Sequence, residues 1–162
     1  MKPLLYFLLV LSLLGAADAG YLVIQSVSGQ AVFCPSISVG GLSSADCNIV
    51  LATSYAKVFG LPVAVYGLAA YLLFAVLVLY ELKVRFTLQT FSEKKFGGRA
   101  ATMKLLAAFS GFGVLVSAYF TYLQFFVINA LCFYCLVSSG LITLIFIGTV
   151  VYNFRYSAKA IT

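Results

Sequence analysis

The chain has 162 residues, 64% of them hydrophobic and 9% charged, with no histidine, a net charge of +6 and a mean hydropathy of +1.11. Such a composition excludes an ordinary soluble domain and points to a membrane protein. Its basic residues are dispersed over several polar segments, which excludes a nucleic-acid footprint and turns the positive charge into a topology signal.

A crossing helix takes roughly 20 apolar residues, and four stretches meet that length: Leu4 to Ile24, Leu61 to Leu82, Leu105 to Ile128 and Leu131 to Val151. The expected fold class is therefore an all-α membrane protein. It is read as one four-transmembrane-helix bundle over residues 1–162, with an extracytoplasmic loop and short helix between the first two spans. The start of the chain, Lys2 with an apolar run to Leu14 and then Ala17-Asp18-Ala19, also fits a secretory signal. Apolar character resumes at Tyr21 to Ile24, which favours a retained helix. Asp18 is then an acid inside a span, a default functional candidate, although a place near the outer interface, wetted by the loop, is the favoured expectation.

From Gln25 to Ser44 the chain is rich in Gly and Ser, with Pro35 and Gly40-Gly41, and reads as flexible irregular loop. "CNIVLATSYAKVF", Cys47 to Phe59, turns apolar and fits a short interfacial or re-entrant helix. Gly60 and Pro62 end it and launch the second span. Lys83 to Lys104 is a charged connector. The third and fourth spans form one apolar run too long for a single crossing, so the chain must turn back within it. Asn129, with Gln124 nearby, is the least lipid-like place for that turn. Small residues (Gly67, Ala69, Ala70, Ser110, Gly111, Gly113, Ser117, Ala118) fit close helix packing.

Lys2, the cluster from Lys83 to Lys104, and Arg155 with Lys159 fall on one side, and Lys57 alone on the other. The positive-inside rule then places both termini and the middle loop, 83–104, in the cytoplasm, with the 25–60 loop and the Asn129 turn outside. The expected location is the plasma (inner) membrane, multi-pass, with the active site on the outer face.

The chain has four cysteines, Cys34, Cys47, Cys132 and Cys135, and this topology puts all of them outside. Residues three apart on a helix share a face with Cβ atoms about 5–6 Å apart, close to disulfide spacing. Cys132 and Cys135 in "NALCFYCLVSS" can therefore open and close with little backbone movement. A helix start favours a thiolate on the first cysteine, so Cys132 is expected to be the more reactive and exposed member, and Cys135 the one that faces the lipid phase. Cys34 and Cys47 can pair with each other and, by loop motion, bring a sulfur to Cys132, as disulfide exchange requires. A structural loop disulfide and a zinc site are the competing uses; zinc normally takes two closely spaced cysteine knuckles, and the loop pair is too widely separated for one.

"CNIVLATSYAKVFGLPVAVYGLAAYLL" (Cys47 to Leu73) and "YLQFFVINALCFYCLVSS" (Tyr122 to Ser139) resemble the vitamin K epoxide reductase family and its bacterial and archaeal homologues. The shared pattern is a loop cysteine pair, Phe-Gly-x-Pro opening a span, and CxxC opening the last span. The resemblance implies a four-helix bundle around a quinone of the ubiquinone or menaquinone type. By position, Cys34 exchanges with an outside partner, Cys47 with Cys132, and Cys135 passes electrons to the quinone. Thr53, Ala56, Phe59 and Ser139 fall at positions implied to lie near the quinone or the sulfurs. Ala56 and Ser139 replace the Asn and Tyr that vertebrate members use as polar contacts, which argues against vitamin K epoxide itself as the substrate. Some bacterial relatives carry a fused thioredoxin-like domain. Here the chain ends shortly after the fourth span, so the expected partner is a separate extracytoplasmic thioredoxin-fold (DsbA-like) protein, alongside membrane lipid and the quinone pool. The activity so implied is that of a thiol-disulfide:quinone oxidoreductase that reoxidises that partner.

Overall fold

The structure, a computed structural model, describes residues 2–35, 38–39, 42–43, 47–87 and 96–161. Five α-helices account for most of them: α1 (Lys2–Ser28), the short α2 (Cys47–Ala52), α3 (Val63–Thr87), α4 (Phe96–Leu123) and α5 (Phe133–Ile161). Within the long ones lie four segments long and apolar enough to cross a membrane: Pro3–Ser28, Val63–Lys83, Lys104–Ile128 and Phe133–Arg155. The expected four-helix membrane architecture is what the chain adopts.

Several boundaries differ from the sequence reading. Helix α1 continues through Gln25 to Ser28, where Gly29 at φ +64° breaks it, α3 and α4 extend into the charged connector, and the helix expected over Cys47 to Phe59 ends at Ala52. Residues 88–95 of that connector, and Gly40-Gly41 in the outer loop, lie outside the described residues. The extension of α1 also relocates Asp18. It lies ten residues before the helix end at Ser28, about 15 Å along the axis at helical rise. Asp18 is half-buried in the bundle, with its Oδ2 buried and without a hydrogen-bond partner, a more enclosed place than the interface expected from the sequence.

Helix α1 packs along both α3 and α5, and α4 packs on α5, whereas α3 and α4 form no comparable seam. The core between them draws Leu5, Leu8 and Leu11 from α1, Phe74 and Val78 from α3, Leu106 from α4, and Ile145 and Tyr152 from α5. Lipid gives helices no hydrophobic reason to associate, so close approach at small residues and polar contacts must supply the attraction. A Cβ on Gly113 would lie 2.9 Å from the Ile142 side chain, and one on Gly148 2.8 Å from Leu8. Ser110 and Thr149 are buried and share a 3.2 Å hydrogen bond between α4 and α5.

The segment before α3 is compact. A 3-10 turn (Ser54–Ala56) leads into the two-residue strands β3 (Lys57–Val58) and β4 (Leu61–Pro62), antiparallel with Val58 opposite Leu61. The earlier pair β1 (Ser38–Val39) and β2 (Leu42–Ser43) forms a similar ladder in the outer loop. Phe59 and Gly60 make the β3–β4 turn at φ +51° and +80°, the doubly left-handed geometry of a type I′ hairpin. The Tyr66 hydroxyl donates to the Val58 carbonyl at 3.1 Å and ties the hairpin to the first turn of α3.

Candidate active site

The α4–α5 connection is organised by one glutamine. After Leu123 the helix widens into a single π-turn, Gln124–Ile128, and Asn129 ends it in the left-handed region at φ +53°, a conformation that Asn tolerates better than most residues. The Gln124 carbonyl accepts the amides of Asn129 and Ala130, the latter at 3.2 Å. Its side-chain Oε1 accepts the amide of Cys132 at 2.8 Å. Gln124 is 3% exposed, so one buried side chain satisfies the buried Cys132 amide at the end of the turn.

Cys132 comes out of this turn as the N-cap of α5, its carbonyl accepting the Leu136 amide at 3.1 Å. Its sulfur is held below the ordinary thiol range first by a hydrogen bond from the Cys135 thiol and further by the amides of Cys135 and Tyr134; burial opposes them. The helix-start effect expected from the sequence is present. The expected exposure is reversed: Cys132 is fully buried and Cys135 only half-buried. The polypeptide around Val32 and α2 lies over Cys132, while Cys135 opens onto a cavity.

That cover carries the other pair. Cys34 and Cys47 are joined by a disulfide with a Cα–Cα distance of 6.2 Å, and Cys47 is the first residue of α2. Asn48 fixes the approach to Cys34: its Oδ1 accepts the Val32 amide at 2.8 Å and its Nδ2 donates to the Val32 carbonyl at 3.3 Å. From α5, the Tyr134 hydroxyl donates to the Phe33 carbonyl at 3.0 Å, and the Tyr134 ring packs 5.1 Å from that of Tyr21. Cys47 and Cys132 belong to one buried cluster with Leu22, Val32, Val50 and Ala130, and Cys34 and Cys135 pack against it. All four cysteines meet at one end of the bundle.

The cavity on the other side of Cys135 has a volume of about 330 Å³ and runs between α3 and α4, roofed by α2 and the hairpin segment. Phe109, Phe112 and Phe120 of α4 and Gly67, Ala70 and Phe74 of α3 form its apolar walls; Asp18, Tyr71, Ser117, Gln124 and Ser138 are among its polar groups. Tyr71 donates to the Ser138 carbonyl at 2.9 Å and lies 2.9 Å from the Ser138 hydroxyl, linking α3 to α5. Of the residues singled out from the sequence, Cys135, Thr53 and Ala56 line this space. The Thr53 hydroxyl is committed to the Val50 carbonyl at 2.7 Å, where it finishes α2. Ser139 is not on the wall; its neighbour Ser138 is. Phe59 sits at the hairpin tip, 96% exposed. Sequence reasoning left out Tyr71, Asn48 and Ser138, and the only signal it held was that they are polar groups in apolar surroundings.

A sequence profile of the vitamin K epoxide reductase family matches residues 6–150. The chain belongs to that family. Among curated relatives, the thiol-disulfide oxidoreductase LTO1 of Arabidopsis thaliana is 33% identical over 125 residues, which cover 76% of this chain and 30% of that protein. The chain thus spans less than a third of that relative's length. In this member of the vitamin K epoxide reductase family, the sulfurs form a line of burial from a half-buried Cys34 through buried Cys47 and Cys132 to Cys135 at the cavity wall.

Proposed function

We propose that this chain is a membrane thiol-disulfide:quinone oxidoreductase that reoxidises a separate extracytoplasmic thioredoxin-fold protein. The observation that carries the reading is the placement of the CxxC pair. Cys132 is buried in the same cluster as disulfide-bonded Cys47, and Cys135 lines an apolar cavity. A family relative that bears the name of a thiol-disulfide oxidoreductase supports the same reading.

The half-buried Cys34 is the member of its disulfide open to attack by a partner thiolate. Two electrons and two protons leave the partner, which becomes oxidised, and Cys34 and Cys47 become thiols. Cys47 then attacks a Cys132–Cys135 disulfide at Cys132, and Cys34 resolves the mixed disulfide, leaving Cys132 and Cys135 reduced. The depressed pKa of Cys132 makes it a good leaving group in this exchange. Cys135 faces the cavity, where the phenylalanine walls exclude water.

A cavity of about 330 Å³ lies at the small end of the range for small-molecule sites. Its apolar walls with few polar groups suit a ubiquinone- or menaquinone-type ring, held between α3 and α4 with Tyr71, Ser138 and Cys135 around it. Bound there, a quinone would supply the two-electron, two-proton acceptor for the Cys132–Cys135 dithiol. Ala56 gives this wall no side-chain hydrogen bond, consistent with a simple quinone in place of an epoxide. The distribution of the basic residues supports an orientation with the sulfurs on the outer face of the plasma membrane and both termini inside.

The test mixes the detergent-purified chain, a short-chain ubiquinone and a reduced thioredoxin-fold oxidase. Quinol forms with the wild type and stops in Cys135→Ser, which still takes one pair of electrons from the partner into its Cys34–Cys47 disulfide. Quinol formation that persists in Cys135→Ser overturns the assignment.

A further inference from the structure

Asp18 is not used by the electron path above, yet it lies on the wall of the cavity that Cys135 faces. It is the only carboxylate among the described residues of the cavity wall, and it lies inside the Pro3–Ser28 crossing segment. Its Oδ2 is buried with no hydrogen-bond partner. A carboxyl group within a crossing segment is costly to insert, and an unused oxygen forgoes the bonds that would offset this. If it served packing alone, a leucine would do better in that place.

Its surroundings favour proton traffic. Cys135 and Tyr71 share the cavity wall with it. The other titratable groups facing the same space are Tyr66 and Tyr71 of α3 and Tyr55 and Lys57 of the preceding segment; α4 contributes none. Tyr71 spends its proton on the Ser138 carbonyl, and Thr53 spends its own on Val50. Asp18 is the group left with an uncommitted oxygen.

We propose that Asp18 is a catalytic proton carrier for the acceptor bound in the cavity, relaying a proton from the CxxC thiols to the acceptor oxygen. The inference rests on the quinone reading above. The balance closes: Cys132 and Cys135 lose two electrons and two protons and form their S–S bond, and the quinone gains both electrons and both protons. Protonated Asp18 gives its proton to the acceptor oxygen and is reprotonated from a thiol, so it is unchanged over a turnover.

The test uses the full chain in detergent with decyl-ubiquinone as probe, comparing wild type, Asp18→Asn and Asp18→Glu. With the dithiol reduced beforehand, Asp18→Asn is expected to form quinol about 10²-fold more slowly and to lose a limb of the pH–rate profile. Asp18→Glu retains that limb. Exchange of the Cys34–Cys47 disulfide with an external thiol is unchanged in both. As a readout independent of turnover, decyl-ubiquinone added to the oxidised wild type shifts a carboxyl C=O infrared band, and Asp18→Asn lacks that band. Wild-type quinol rates and pH profile in Asp18→Asn overturn the inference, as does a wild-type carboxyl band that does not respond to the quinone. A wild type that exchanges disulfides but forms no quinol overturns the quinone reading itself, and this inference with it. Should Asp18→Asn fail to fold, Asp18→Glu and the wild-type infrared response decide.

Discussion

Gln124 and Cys132 are eight residues apart and joined by a 2.8 Å hydrogen bond from the Cys132 amide to the Gln124 side-chain oxygen. The bond spans the turn and is buried, so the CxxC depends on a residue of the preceding helix. Gln124→Leu strands the Cys132 amide, and leaving a buried donor unsatisfied costs about 1–3 kcal/mol. Denaturant unfolding in detergent should show that loss. Gln124→Glu keeps an acceptor for that amide but buries a carboxyl, so it should recover only part of the stability, and where that carboxyl is ionised its negative charge should raise the Cys132 pKa. A Gln124→Leu protein as stable as wild type would refute this account of the turn.

The depressed pKa of Cys132 has a nameable first cause, the hydrogen bond donated by the Cys135 thiol. Serine at 135 keeps a donor and alanine removes it. In a Cys34→Ser, Cys47→Ser background, thiolate absorbance should titrate at lower pH in Cys135→Ser than in Cys135→Ala. The folded site favours the deprotonated form. Its contribution to stability is therefore fully present above the unfolded thiol pKa and is lost as pH falls through the lower folded value. Stability of Cys135→Ser should drop across that window, and that of Cys135→Ala should drop less.

Asn48 clamps both backbone groups of Val32, two residues before Cys34. Asn48→Ala frees that segment from α2 at a cost of about 1–3 kcal/mol, because a half-buried amide and carbonyl lose their partner together. The loop disulfide should then be reduced faster by small thiols while electron delivery to Cys132 slows, since the Cys47–Cys132 register is no longer held. Trapping the Cys47–Cys132 mixed disulfide in Cys34→Ser, Cys135→Ser protein, with and without Asn48→Ala, measures the difference. An equal yield would contradict the clamp.

Gly113 faces Ile142 so closely that a Cβ would stand 2.9 Å from it. Gly113→Val should separate α4 from α5 and cost about 1–3 kcal/mol through overpacking; Gly113→Val with Ile142→Ala should recover part of that. Because Gly113 also lines the cavity, the single variant should bind decyl-ubiquinone more weakly. Melting temperature and quinone-dependent stabilisation report the two effects separately.

The apolar lengths, the polar break near Gln124 and Asn129, and the Phe-Gly-x-Pro launch of α3 are all written locally, in runs of about twenty residues or in a single turn. For that reason the four helices and the position of the CxxC could be read from the sequence. The burial order of Cys132 and Cys135 could not, because it depends on Val32 and α2, more than 80 residues away in the chain, folding over Cys132. Asp18 was placed too near the surface for a related reason. Hydropathy sees an acid near the end of an apolar run, whereas its depth follows from α1 continuing to Ser28 and its surroundings from α3 and α5. Tyr71 with Ser138, and Asn48 with Val32, are pairings between distant segments that no local pattern encodes. Periodicity and composition determined what this chain is made of and where it crosses; only helix packing decided which polar groups enter the cavity and which sulfur faces it.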